Sequence, residues 1–241
     1  MTIAHLSQSI IEAHGGLRQW QKFERLSARL HQGGALWALK GHEGKLTDTT
    51  VTVGLKSEWA SHAPFASPEK LSHFEPGKVE LLTTSGKVLE SLISPRASFE
   101  GHQFDTPWTE PQLAYFAGYA MWTYLNLPFV LARSGVETEQ LPDWQEKGET
   151  WHRLRITFPD DVTTHNSVQT LYVDAAGMLK RHDYDVDIAG RTPAAHYMDD
   201  YTEAQGLKFP TKHRIYPRQP DGQSLSEPLV VSIDVSEIKL F

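Results

Sequence analysis

The chain has 241 residues, 39% of them hydrophobic and 22% charged, with a formal net charge of −7 and no cysteine. Length and composition suit one sheet-rich domain over residues 1–241 and argue against disorder. An acidic balance without a basic stripe argues against nucleic acid and anionic membrane surfaces as partners, and the missing cysteines remove disulfides, thiol nucleophiles and Cys-ligated zinc.

The chain opens Met-Thr-Ile-Ala-His-Leu-Ser-Gln, with no basic stretch before an apolar core, which predicts no signal peptide and a cytoplasmic location. Ile3, Leu6 and Ile10 fall at helical spacing, with Thr2 as N-cap and Gly15-Gly16 as the stop. Leu17, Trp20 and Phe23 suggest a further short helical turn, so residues 3–22 read as an amphipathic lid or plug. From Arg25 the period becomes two: Leu26, Ala28 and Leu30 alternate with Ser27, Arg29 and His31. Short strands are expected near 49–54, 56–62, 70–74, 78–83 and 87–92, separated by turn signals such as Glu75-Pro76-Gly77-Lys78 and Ser85-Gly86.

The alternation breaks at 106–133. Thr109 and Gln112 have capping-box spacing, Pro111 sits in the first turn, and Pro128 ends or kinks the helix. Pro111 to Ala132 carries no charge, but Gln112, Thr123, Asn126, Gly118 and its tyrosines make it too polar for a membrane span. Strands resume near 136–141, 150–158, 168–174, 178–188, 193–203, 208–217 and 229–237, with Asp174-Ala-Ala-Gly177 as a hairpin turn and Leu229, Val231, Ile233 and Val235 facing inward. The fold class is mainly β (α+β): about ten to twelve antiparallel strands with helices only at the start and the middle.

This order of helix, β meander, central helix and second meander resembles the lipoprotein-carrier fold of the periplasmic carrier and outer-membrane receptor for bacterial lipoproteins. The resemblance implies a curved, incompletely closed sheet that holds the helices against its concave face, with a gap that takes acyl chains. Ala13-His14-Gly15-Gly16-Leu17 with Trp20, Gly118-Tyr119-Ala120-Met121-Trp122, and Pro193-Ala194-Ala195-His196-Tyr197 also resemble a group of bacterial proteins of unassigned function. That likeness implies no activity.

Two constellations could carry function. In the central helix Tyr115, Tyr119 and Trp122 form one stripe, and Leu113, Phe116, Ala120 and Tyr124 another. Such a helix is buried on several sides, either as plain core or as the wall of a ligand cavity in which tyrosine and tryptophan use their polar atoms. In the strand near 178–188, Asp183, Asp185 and Asp187 share one face, read as a solvated stripe beside Lys212 and Arg214, while His182, Tyr184, Val186 and Ile188 share the other. The stripe fails as a calcium loop, because Ile188 and Ala194 stand where glycine and glutamate belong. A three-residue turn at Ala189-Gly190-Arg191 would set Tyr184 opposite His196, with His182 diagonal and His165 at the rim; a two-residue turn would set Asp183 there instead.

Nucleotide loops, zincin motifs and nucleophile elbows are absent, so no cofactor and no metal is expected. Three readings follow. The first is a binder of an apolar or amphiphilic small molecule, through Tyr115, Phe116, Tyr119, Trp122, Tyr184 and His196. The second is a cofactor-independent acid–base hydrolase, lyase or isomerase using His196, Tyr184, Asp183, His182 and His165. The third is a ligand-free structural protein that forms a homo-oligomer through an edge strand.

Overall fold

Two short helices open the chain, α1 (Ile3–Ala13) and α2 (Leu17–Trp20). The computed structural model describes residues 3–241, so Thr2, expected as the N-cap of α1, lies outside the described residues. Leu6 and Ile10 are buried, as their spacing requires. Gly15 between the helices has φ +111°, and an added Cβ there would stand 2.2 Å from the carbonyl oxygen of Gly206. His14 is buried beside it, donating from Nδ1 to the Ile10 carbonyl oxygen at 2.8 Å, and its own carbonyl accepts from Lys208 N. The Ala13–Leu17 motif thus seats the helices on a hairpin tip.

The alternation from Arg25 forms β1 (Arg25–Gly33), with Leu26, Ala28, Leu30 and Gln32 buried and Arg25, Arg29 and His31 exposed. A five-residue helix, α3 (Ala35–Leu39), follows; it is too short to show a period and is absent from the sequence reading. The first meander continues with β2 (Asp48–Gly54), β3 (Ala60–Ala63), β4 (Lys70–Glu75), β5 (Lys78–Thr83) and β6 (Val88–Ile93). After α4 (Glu110–Asn126) the second meander runs through β7 (Glu137–Glu146), β8 (Glu149–Thr157), β9 (Val168–Val173), β10 (Leu179–Val186), β11 (Thr192–Ala204), β12 (Leu207–Pro217) and β13 (Val231–Leu240). The strand expected at 56–62 forms only from Ala60, and the last begins at Val231, leaving Leu229 half-buried before it.

All thirteen strands join one antiparallel sheet in the order β6-β5-β4-β3-β2-β1-β13-β12-β11-β10-β9-β8-β7. The two meanders meet where β1 pairs with β13, with Leu30 opposite Val235. The outer strands β6 and β7 do not pair, so the sheet is an open trough, and α4 lies in it.

The helix begins as its sequence dictates. The Thr109 hydroxyl accepts from Gln112 N, the Gln112 side chain accepts from Thr109 N at 2.9 Å, and the helix ends before Pro128. No helix among the described residues is long and apolar enough to cross a membrane. Helix α4 packs chiefly on β2–β5. Its Gly118 makes this approach, since an added Cβ would lie 2.4 Å from the Phe74 Cβ. Gly118→Ala should therefore destabilise the protein by about 1–3 kcal/mol in chemical denaturation, despite the better helix propensity of alanine.

The outward faces of β7–β12 carry a second, smaller core of Trp151, Tyr172, Ala195 and Tyr197, flanked by Trp144 and Tyr216. The solvated acidic stripe expected here is not formed. Asp183 is 5% exposed and held by Arg181, Asp185 pairs with Arg218, and Asp187 has left the strand to pair with Arg96. Lys212 and Arg214 pair with Asp200 and Asp234 instead.

Candidate functional site

Because α4 packs on the first meander, it leaves space toward the second. A cavity of about 340 Å³ opens there, walled by Phe116, Ala117, Ala120, Met121 and Tyr124 of α4. Tyr184 and Val186 of β10, Ala194 of β11, Ile215 of β12 and Val231 and Ile233 of β13 face them, and Gln32 of β1, Leu36 and Trp37 of α3, Phe104, Trp108 and His165 are also in the lining. Among the described residues no Asp, Glu, Lys or Arg lines it. The helix wall is the stripe whose side chains are small at Ala117 and Ala120.

The β10–β11 hairpin follows neither expected register. Its connection is residues 187–191, with a short 3₁₀ turn at Asp187–Ala189, so His182 stands opposite His196 and Tyr184 opposite Ala194. The shift from the three-residue-turn register is two residues, which keeps His182, Tyr184 and His196 on one face and Asp183 on the other. Asp183 therefore cannot orient His196. It takes Arg181 Nε at 2.7 Å, Arg181 Nη2 at 2.8 Å and the Tyr172 hydroxyl at 2.8 Å.

A polar chain underlies the cavity wall. The Tyr124 hydroxyl lies 2.8 Å from His165 Nε2 and 2.5 Å from the Tyr184 hydroxyl, and the His165 ring stacks on that of Tyr184 at 3.9 Å. His182 donates from Nε2 to the Gln169 side-chain oxygen at 2.6 Å, while the Gln169 amide nitrogen donates to Thr164 and Asn166. His196 Nε2 and His213 Nδ1 are 2.8 Å apart, and the His196 ring lies 4.4 Å from that of Tyr124. Burial holds all four histidines neutral at pH 7: it lowers His182 to about 3 and His213 to about 4, and pushes His165 and His196 well below the ordinary value. Among the described residues no three His, Asp or Glu side chains are placed to hold a metal ion.

The residues singled out in the sequence divide. Phe116, Tyr184 and His165 line the cavity. His182 and His196 lie behind it, near the Tyr124 ring. Tyr115 packs against Phe74 and Phe99, Tyr119 against Tyr115 and His165, and Trp122 donates its indole N–H to the Gly54 carbonyl oxygen at 2.9 Å, all outside the cavity lining. Sequence reasoning missed Trp37 and Trp108, from a five-residue helix and a loop, and passed over the alanines that leave the space open. None of residues 6–22 lines the cavity, so that part of the expected lid or plug packs elsewhere.

No family model and no curated protein matches the sequence. Solved structures do match along the whole chain. A LolA superfamily protein from Nitrosomonas europaea aligns with a TM-score of 0.54 at 12% identity, covering 100% of this chain and 94% of that one. A domain described as that of an outer-membrane lipoprotein-sorting protein, from Vibrio parahaemolyticus, aligns with a TM-score of 0.55 at 11% identity, covering 99% and 92%. The fold is lipoprotein-carrier-like. A DUF1329 family protein from Desulfovibrio piger shares it, with a TM-score of 0.53 at 11% identity over 99% and 92% of the two chains. At these identities the likeness covers the lipoprotein-carrier-like trough and its central helix, and it assigns no ligand.

Proposed function

We propose that this protein binds an apolar or amphiphilic small molecule in the cavity between α4 and β10–β13. The observation that carries the reading is the cavity itself: about 340 Å³, walled by apolar side chains with a few polar groups, as small-molecule sites are built. The lipoprotein-sorting relative from Vibrio parahaemolyticus supports a lipid-like ligand by analogy of fold alone. The acid–base alternative has less to stand on. His182 and His196 do not line the cavity, and Asp183 faces away from both.

Native mass spectrometry and thermal unfolding against fatty acids, isoprenoids and aromatic compounds test this reading. A ligand at 100 times its Kd stabilises by about 2.7 kcal/mol, which at this chain length raises Tm by roughly 5–10 °C. Ala120→Phe, which puts a ring into the cavity, should abolish that shift and leave a folded protein. A panel that gives no adduct and no shift, or an equal shift in the filled variant, refutes the reading.

A further inference from the structure

Three hydrogen-bond donors at this cavity have no acceptor among the described residues. Trp108 is 6% exposed, and its backbone is gripped on both sides: its N donates to the Lys40 carbonyl oxygen at 3.2 Å, and its carbonyl accepts from His42 Nε2 at 2.8 Å. Its indole N–H finds no partner among the described residues. Indole nitrogen only donates, so no flip or tautomer relieves it.

The second donor follows from a count. Tyr184, Tyr124 and His165 each carry one polar hydrogen, because burial keeps both phenols and the imidazole uncharged. Three hydrogens serve two contacts, Tyr184 to Tyr124 and Tyr124 to His165. His165 Nδ1 has no partner among the described residues. One hydrogen of the trio is therefore always left over, at Tyr184, Tyr124 or His165, and all three residues line the cavity. Gln32, also in the lining, adds an amide nitrogen without a partner. Buried donors left in this state are costly, and a ligand that accepts from them recovers that cost.

Charge narrows the ligand further. No Lys or Arg lines the cavity among the described residues; Arg96 and Arg218 reach the backbone carbonyls of the lining residues His165 and Ala194 at 3.4 Å, but are paired with Asp187 and Asp185. Lys40 holds its Nζ 4.5 Å from the centre of the Trp108 ring. Its three hydrogens are directed at the carbonyl oxygens of Gln103, Phe104 and Thr106. An ionised carboxylate entering the cavity would lose its water without gaining a counter-ion. An alcohol would add one more donor to a site that already has a surplus.

Resting on the binding function above, we infer that the ligand is an uncharged amphiphile whose polar end accepts hydrogen bonds and donates none: a ketone or simple ester on an apolar chain or ring. At roughly 30 Å³ per non-hydrogen atom, the cavity holds about a dozen such atoms.

The test uses 2-undecanone, 1-undecanol, decanoate at pH 8 and undecane, titrated into the full chain and followed by tryptophan fluorescence, since Trp37 and Trp108 line the cavity. The ketone should bind roughly tenfold more tightly than the alcohol or the carboxylate, about one hydrogen bond's difference. The ratio of undecane to ketone dissociation constants should fall about five- to tenfold in Trp108→Phe, which keeps an aromatic ring and loses the donor. Solvation of the probes in water cancels in that comparison of two proteins. Gln32→Met should move the ratio in the same direction. If no probe binds, the binding function itself fails, and this inference with it. If undecane binds but decanoate or undecanol equals the ketone, or Trp108→Phe leaves the ratio unchanged, the cavity binds apolar molecules and this inference alone is overturned.

Discussion

On acidification from pH 7 to pH 5 the protein is expected to lose most of its stability and to unfold cooperatively between about pH 5 and 6. Six histidines are at most 1% exposed: His14, His62, His165, His182, His196 and His213. Burial lowers His14, His62 and His213 to about 4 and His182 to about 3, and holds His165 and His196 well below the ordinary value. The sign follows from proton linkage. Between those values and 6.5 the unfolded chain binds the protons and the folded chain does not, so stability is full above 6.5 and falls as pH drops. At pH 5 each such histidine removes about 2 kcal/mol, or roughly 12 for the set. Glu58 opposes them: burial raises its carboxyl to about 8, so over the same interval the folded state holds a proton that the unfolded chain lacks and is favoured by about 2 kcal/mol as pH falls. The net loss, on the order of 10 kcal/mol, matches the whole stability of an ordinary domain. Denaturant titrations at half-unit pH steps measure it directly. His182→Gln should reduce the slope by about one proton, near 1.4 kcal/mol per pH unit. A native spectrum and an unchanged denaturation midpoint at pH 4.5 would falsify the argument.

That a histidine cluster existed on one face of the second meander was legible in the sequence, because the period of two survives any even shift of register. Its pairing was not. The 3₁₀ turn at Asp187–Ala189 takes two residues from the strand, and nothing local marks the difference between strand and turn at that point. The capping box at Thr109 and the stop at Pro128 are local chemistry and were read directly. Which face of α4 meets the sheet depends on Phe74, far away in sequence, filling the notch at Gly118. For that reason the large aromatics drew attention as a ligand wall, while Tyr115 and Tyr119 pack into the core and the space lies beside Ala117 and Ala120. The burial of Asp183 was hidden for a similar reason. The aromatic cover above it comes from β7, β9 and β11, and only the folded sheet brings Trp144, Tyr172 and Tyr197 together.

Arg181→Met should destabilise the protein by about 3–5 kcal/mol, lowering Tm by roughly 6–20 °C. Arg181 is fully buried on the outer face of the sheet, and each of its five N–H groups has an acceptor. Nε and Nη2 hold the two Asp183 oxygens at 2.7 and 2.8 Å, Nη1 meets Glu146 at 2.8 Å and the Tyr197 hydroxyl at 3.5 Å, and Nη2 meets the Gly222 carbonyl oxygen at 2.5 Å. Burial works against the charged guanidinium, and the Asp183 carboxylate more than offsets this, so the guanidinium pKa is raised. Methionine fills much of the volume and leaves Asp183 buried beside Glu146, with Arg218 Nε 3.6 Å away as the remaining cation. The cost is then dominated by an uncompensated carboxylate rather than by lost packing. Two measurements separate these causes. In Arg181→Met the Asp183 carboxyl should titrate upward, so the variant's deficit should widen as pH rises from 6.5 to 8.5, where a packing defect would stay constant. In Arg181→Met with Asp183→Leu both buried charges of the pair are gone, and much of the loss should be recovered, since an apolar replacement of a buried pair is often neutral. A double variant as unstable as the sum of its parts would assign the cost to packing among Trp144, Tyr172 and Tyr197 instead.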